Sequence, residues 1–191
     1  TRRSSDLGIP GLRLLVSDIG WDGRSFRDLE GREIRTLYKL YPWEWLLAEP
    51  FGRHVAEAAA RTTWIEPIWK MIWSSKAILP VLWDLFPRHP NLLWASATGP
   101  AGDSFVCKPL LGREGGNVSV VRDGQTVAAK DGPYGGGAMI WQGLFDLPDF
   151  GGARPVLGSW IVDGEPAGVG IREDGLITSN LSRFTPHILA D

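Results

Sequence analysis

The 191 residues contain one cysteine, Cys107. No internal disulfide can form, and such sparing use fits a reducing, cytoplasmic compartment. A zinc site built from several cysteines is excluded as well. Histidine is nearly as scarce: His54, His89 and His187 lie far apart without metal-ligand spacing, so they read as structural. Neither sign of charge dominates, because 20 Lys and Arg face 22 Asp and Glu for a net charge of −2. Bulk electrostatics therefore draws the chain neither to nucleic acid nor to an anionic membrane. Long hydrophobic runs are missing too. The most apolar stretch, WIEPIWKMIWSSKAILPVLWDLF, is interrupted by Lys70, Ser74, Ser75, Lys76, Pro80 and Asp84. A membrane-spanning helix needs about 20 nearly uncharged residues. The start, TRRSSDLG, lacks methionine and carries no readable signal peptide.

Familiar phosphate motifs are absent. The chain has no GxxxxGK[ST] loop and no GxGxxG fingerprint. The kinase order, glycine loop before lysine, is reversed here. Ser159 and Ser182 lack the surroundings of a nucleophile elbow.

What is abundant is glycine, proline and tryptophan, at 24, 14 and 10 residues. Glycines cluster in the second half, in GREGGN, PYGGG and FGG, whereas most tryptophans lie in the first. Those at 43, 45, 64, 69, 73 and 83 fall in or beside apolar helical stretches, which predicts core packing. Residues 1–10 read as a flexible tail. LRLLVSDIGW and EIRTLYKLY read as strands. PWEWLLAEPFGRHVAEAAARTTW reads as a helix with Pro42 near its start and a break at Pro50 and Gly52. The pattern from Trp64 to Phe86 is helical but interrupted, with Ser74 or Ser75 as a cap and FPRHP as the stop. Beyond residue 104 come short β-rich runs: SFVCKPLL, NVSVV, QTVAA, AMIWQGLF, RPVLGSWIV and PAGVGIRE. VRDGQT reads as a hairpin turn. Helices with early strands, then antiparallel strands, give an α+β class.

One constellation carries chemistry. In CKPLLGREGGN, a strand bearing Lys108 runs into a glycine turn. Gly115 and Gly116 let backbone N–H groups approach a polyphosphate, and Lys108 can reach the same phosphates. Arg113 adds a planar donor fork. The segment alone suits a plain glycine hairpin with an edge lysine equally well. Lys76 in SSKAILP, Gln142 in MIWQGLF and Arg172 in GIREDGLIT are each weak signals singly.

In this order, however, the motifs LYKLYPWEWLL, WIEPIWKMIWSSKAILPVLWDLFPRHPNLL, VCKPLLGREGGNVSVV, GPYGGGAMIWQGLFDLPDF and GIREDGLITSNLSRFTPH resemble the C-terminal half of the glutathionylspermidine synthase family. The likeness runs from about Leu12 to the end, and KLYPWEW resembles the synthetase-only branch. The resemblance implies an ATP-grasp fold, with one such segment over 1–191, a glycine-rich flap lobe over about 90–141 and C-terminal strands over 142–191. The upstream part of the family domain has no counterpart here. The implied activity is ATP-dependent carbon–nitrogen ligation: a carboxylate is phosphorylated and an amine attacks the acyl phosphate. Small-molecule carboxylates and amines are the implied partners. Lys76 and Lys108 match ATP-binding lysines, and Gln142 a glutamine where adenine would sit. Arg113 and Arg172 match arginines at the reacting phosphate, with Gly115 and Gly116 closing over the phosphates. The family's Mg²⁺ ligands belong to the upstream segment, so no metal ligand is assigned here. Asp18 and Asp22 are not promoted to that role. Leu40 and Trp45 stand where spermidine-using members carry threonines, which points away from glutathione and spermidine as substrates. Two rival readings are a nucleotide-binding lobe without turnover and a tryptophan-rich interaction domain with several exposed indoles.

Overall fold

The computed structural model describes residues 2–4, 8 and 10–188. The chain divides into two compact units, 1–72 and 73–191.

The first unit is built from short pieces. β1 (Arg2–Ser4) pairs antiparallel with β2 (Pro10–Leu12). The expected strand over LRLLVSDIGW is only partly realised. β2 ends at Leu12, a 3₁₀ turn occupies Val16–Asp18, and β3 (Gly20–Trp21) pairs instead with β4 (Phe26–Arg27). Asp22 explains that hairpin. Its carboxylate accepts the N–H groups of Arg24 and Ser25 at 2.9 and 2.7 Å and the Arg27 Nε–H at 2.6 Å. Those bonds, led by the one from Ser25, hold its carboxyl down at a pKa of about 2. Asp22 is thus occupied in a turn.

β5 (Thr36–Tyr38) falls within EIRTLYKLY as expected and runs parallel to β6 (Thr63–Ile65). Between them lie α1 (Trp43–Ala48), a 3₁₀ turn at Pro50–Gly52, and α2 (Arg53–Glu57). The predicted break at Pro50 and Gly52 is where it was expected. Proline's missing N–H cannot continue the α1 ladder.

Phe26, Trp43, Leu46, Val55 and Ala58 form the core of this unit, with Trp21, Phe51 and Trp64 packed against it. The rings meet edge-on or tilted: Phe26 and Trp64 at 5.5 Å, Trp43 and Trp64 at 5.0 Å. His54 stacks on Trp21 at 4.5 Å and its Nδ1 lies 2.8 Å from Glu57, a structural role as read. Lys39 is buried beneath this layer. Its ammonium sits 4.4 Å from the Trp43 ring centroid and 3.4 Å from Glu66 Oε1, a cation–π and an ionic contact. Trp43 and Trp64 pack inward, but Trp45, Trp69 and Trp73 are exposed. Trp45 falls outside the face of α1 that buries Trp43 and Leu46, and the 3₁₀ turn and short helix that carry Trp69 and Trp73 bury no residue.

The second unit begins within α3 (Met71–Ser74) and continues through α4 (Ile78–Leu85). Ser75 Oγ accepts the Ala77 N–H at 3.3 Å, just ahead of α4. Phe86 ends the helix as FPRHP requires. β7 (Ala95–Ser96), β8 (Phe105–Pro109), β9 (Val118–Arg122), β10 (Gln125–Lys130) and β11 (Met139–Gly143) make one antiparallel sheet in the order β10-β9-β8-β11-β7. The β9–β10 hairpin turns at Asp123 and Gly124, with φ of 48° and 74°, the left-handed pair that VRDGQT predicts. β12 (Arg154–Val162), β13 (Glu165–Asp174) and β14 (Arg183–Thr185) form a second sheet. Helices beside antiparallel sheets confirm the α+β class. Among the described residues no helix is long and apolar enough to cross a membrane.

Because Trp43 is 2 % exposed at the centre of the aromatic core, Trp43→Ala is expected to destabilise the first unit by about 3–5 kcal/mol. Denaturant unfolding followed by circular dichroism measures it.

Candidate functional site

The five-stranded sheet gathers three of the residues singled out by sequence. Antiparallel register sets Lys108 opposite Ile140 and Val106 opposite Gln142. Residues two apart share a face, so Lys108 and Gln142 are diagonal neighbours on the face that buries Ile140 and Val120. The Lys108 ammonium donates to Gln142 Oε1 at 2.5 Å. Lys76 arrives from the turn before α4. Its N–H donates to the Leu110 carbonyl at 2.9 Å and its Nζ to the Gly112 carbonyl at 2.7 Å. Burial pushes the Lys108 pKa below its ordinary value, and the nearby positive charge of Lys76 pushes it further the same way.

Arg113 and the two glycines lie on the segment between β8 and β9. Arg113 is exposed, and its carbonyl accepts the Gly116 N–H at 2.9 Å. Gly115 has φ of +72°, and a Cβ there would come within 2.7 Å of both Ile177 Cγ2 and the Thr178 carbonyl oxygen. Gly116 is buried, and a Cβ would meet the Tyr134 ring at 3.1 Å. Gly115 is therefore required by the chain's own packing, whereas a Cβ at Gly116 asks the Tyr134 ring to give by a few tenths of an ångström. The PYGGG and ITS segments that press on them are partners that sequence spacing does not reveal.

Arg172 lies in the second sheet, exposed, opposite Val156 on β12 and Phe184 on β14. Its strand ends at Asp174, which organises the following loop. Ser182 Oγ at 2.6 Å, the Gly175 N–H at 2.8 Å, and the Ser179 N–H and hydroxyl, both at 3.0 Å, all donate to its carboxylate. The Ser182 bond is the largest cause of a carboxyl pKa near 2. That loop carries Ile177 and Thr178 against Gly115, so β13 and the glycine turn are linked through Asp174. In the sequence Asp174 reads only as part of a turn with a surface ion pair after Arg172; its role as the hub of that loop is not visible there.

Cys107 is half-buried beside Lys108 in sequence but on the opposite face of β8, and burial raises its pKa. Among the described residues no three His, Cys, Asp or Glu side chains are grouped to hold a metal.

Two outcomes are expected. Gly115→Ala places a Cβ against backbone at a left-handed φ and should destabilise the second unit by about 1–3 kcal/mol, read from its unfolding midpoint. Asp174, with its pKa lowered from 3.8 to about 2, contributes stability that is complete above pH 3.8 and is lost as pH falls towards 2. Asp174→Asn should remove that part of the acid transition, and hydrogen exchange at residues 175–182 should quicken.

A sequence profile described as glutathionylspermidine synthase preATP-grasp matches residues 3–190. A Haemophilus influenzae protein provisionally named an acid–amine ligase is 44% identical over 188 residues, covering 92% of this chain and 47% of that one. The trypanothione synthetase of Crithidia fasciculata is 30% identical over 81% of this chain and 27% of its own length. The bifunctional glutathionylspermidine synthetase/amidase of Escherichia coli is 30% identical over 91% of this chain and 32% of its own. The chain thus spans less than half the length of these relatives. Its helices and antiparallel sheets fit an ATP-grasp-like α+β fold, and with nearly its whole length matched, the chain belongs to the glutathionylspermidine synthase preATP-grasp family.

Proposed function

We infer that the second unit binds the phosphates of ATP and serves an ATP-dependent ligase that joins a carboxylate to an amine. One observation carries this: Lys108 on β8 and Lys76 before α4 converge beside the glycine turn, Lys108 held by Gln142 Oε1 at 2.5 Å and Lys76 by the Gly112 carbonyl at 2.7 Å. Two lysine ammonium groups gathered beside a glycine turn suit the oxygens of a polyphosphate. Relatives named as a ligase and as synthetases supply the reaction class.

In this reading Lys108 and Lys76 hold phosphate oxygens. Gln142 orients the Lys108 ammonium and stands at the adenine end. Arg113 and Arg172 place positive charge where the transferred phosphoryl group spreads its negative charge. The segment from about 90 to 141 acts as the flap lobe, with Gly115 and Gly116 over the phosphates, and keeps water from a hydrolysable acyl phosphate. The carboxylate oxygen attacks the terminal phosphorus and ADP leaves; the amine nitrogen then attacks the acyl carbon and phosphate leaves. The Mg²⁺ expected with ATP finds no acidic cluster among the described residues, and none of these steps is routed through a metal. Leu40, 86 % exposed, and Trp45, 42 % exposed, offer no hydroxyl to a thiol peptide, which favours an acid and an amine other than glutathione and spermidine.

The interaction-domain reading draws support from Trp45, Trp69, Trp73 and Trp160, all exposed. It can hold alongside ligation.

Lys108→Ala should weaken ATP binding, measured by calorimetry, by roughly 10²-fold, the scale of a lost preorganised charge. Equal ATP affinity in both proteins would refute the assigned site. ATP affinity of the unaltered protein should also fall as pH rises, beginning below 10.5, because Lys108 loses its proton early. Lys108→Arg, which cannot deprotonate, should remove the early part of that pH dependence.

A further inference from the structure

The segment from Gly112 to Asn117 is fastened at both ends. At the front, Lys76 Nζ donates to the Gly112 carbonyl at 2.7 Å. At the back, Asn117 Oδ1 accepts the Tyr134 N–H at 2.6 Å. Arg113, Gly115 and Gly116 lie between these two anchors.

Asn117 sits where only a few residue types can. Its φ is +55°, a left-handed conformation that asparagine tolerates better than most residues. Its amide reaches into the loop 131–138, which packs around it without slack. A Cβ on Gly132 would lie 2.8 Å from the Gly116 α-carbon and 3.0 Å from Asn117 Oδ1, and one on Gly135 would lie 3.1 Å from Asn117 Nδ2. The Tyr134 ring covers Gly116, and Lys130 Nζ donates to the Glu114 carbonyl at 2.8 Å. The PYGGG loop is therefore a mould for the glycine turn, and Asn117 is the side chain that joins them.

The sheet itself does not need this bond. The β9–β10 ladder is already closed at Val118 and Lys130. The Asn117 contact adds instead a fixed position for the turn relative to the loop beyond the ladder.

We propose that Asn117 is a positioning residue of the nucleotide site, holding the 131–138 loop against the 112–117 turn so that Arg113 and the Gly115–Gly116 backbone stay at the phosphates. This rests on the nucleotide-binding reading above. It acts on the phosphate end of the ligand, not on the adenine end near Gln142. Loss of Asn117 therefore weakens a nucleotide in proportion to the phosphates it carries.

The test compares ATP and AMP affinities by calorimetry in the full protein, with the melting temperature recorded for each variant. Asn117→Ala is expected to weaken ATP roughly tenfold and AMP by less than about twofold, as misplacing several donors predicts. Asn117→Asp keeps an oxygen to accept the Tyr134 N–H and should retain most of the ATP affinity. Gly132→Ala, which pushes on the Gly116 α-carbon, should reproduce the Asn117→Ala pattern. An unchanged ratio of ATP to AMP affinity in folded Asn117→Ala overturns the proposal, as does an equal loss for both ligands. Should Asn117→Ala fail to fold, Asn117→Ser, whose side chain is too short for the 2.6 Å contact, gives the same comparison. If Lys108→Ala weakens ATP while Asn117→Ala does not, only the positioning role falls. If neither variant changes ATP binding, the nucleotide reading falls and this role with it.

Discussion

The close approach of three backbone segments around Gly115 and Gly116 constrains everything else in the second unit. Thr178 carbonyl and Ile177 press on one glycine, Tyr134 and Gly132 on the other. Strand geometry alone would leave the β8–β9 connection as an ordinary solvated turn. Here it is pinned by loops that follow β10 and β13, so its shape is decided by residues 16 (Gly116 to Gly132) to 63 (Gly115 to Thr178) positions away in sequence. A positive φ at Gly115 and a buried α-carbon at Gly116 are the conditions for that packing. A side chain at Gly115 would force the loops apart.

Electrostatics is arranged on the same frame. Lys108 stands on the covered face of the sheet, and its ammonium is satisfied by Gln142 from the neighbouring strand. Lys76 reaches the same region through the carbonyls of Leu110 and Gly112. In the proposed nucleotide site, two cations held this way are preorganised for an anionic ligand. Asp174 contributes from the other sheet. Its carboxylate collects bonds from Gly175, Ser179 and Ser182 and so shapes the loop that touches Gly115. The Lys76–Lys108 pair and the Asp174 hub thus meet at the glycine turn, from opposite directions in the chain.

The first unit follows a different rule. Its regular elements are short, and stability comes from aromatic rings packed around Phe26 and Trp43. Lys39 is held in that layer by Trp43 and Glu66, which explains why KLYPWEW combines a lysine with tryptophans. The strand expected over LRLLVSDIGW gave way to a 3₁₀ turn and a two-residue hairpin strand because Asp22 and its backbone partners favour a turn.

Local pattern determined the helix break at Pro50, the Asp123–Gly124 hairpin, the run of late strands and the α+β class, since each depends on residues adjacent in sequence. Motif order also carried the family. The β-register that makes Lys108 and Gln142 neighbours was out of reach of local pattern, because it depends on which strands pair. The roles of Asp174 and Asn117 were out of reach for a related reason. An aspartate in REDG and an asparagine after GREGG look like turn formers, and each is one. What they hold in place lies on another segment, and only the packed chain brings those segments within hydrogen-bonding distance.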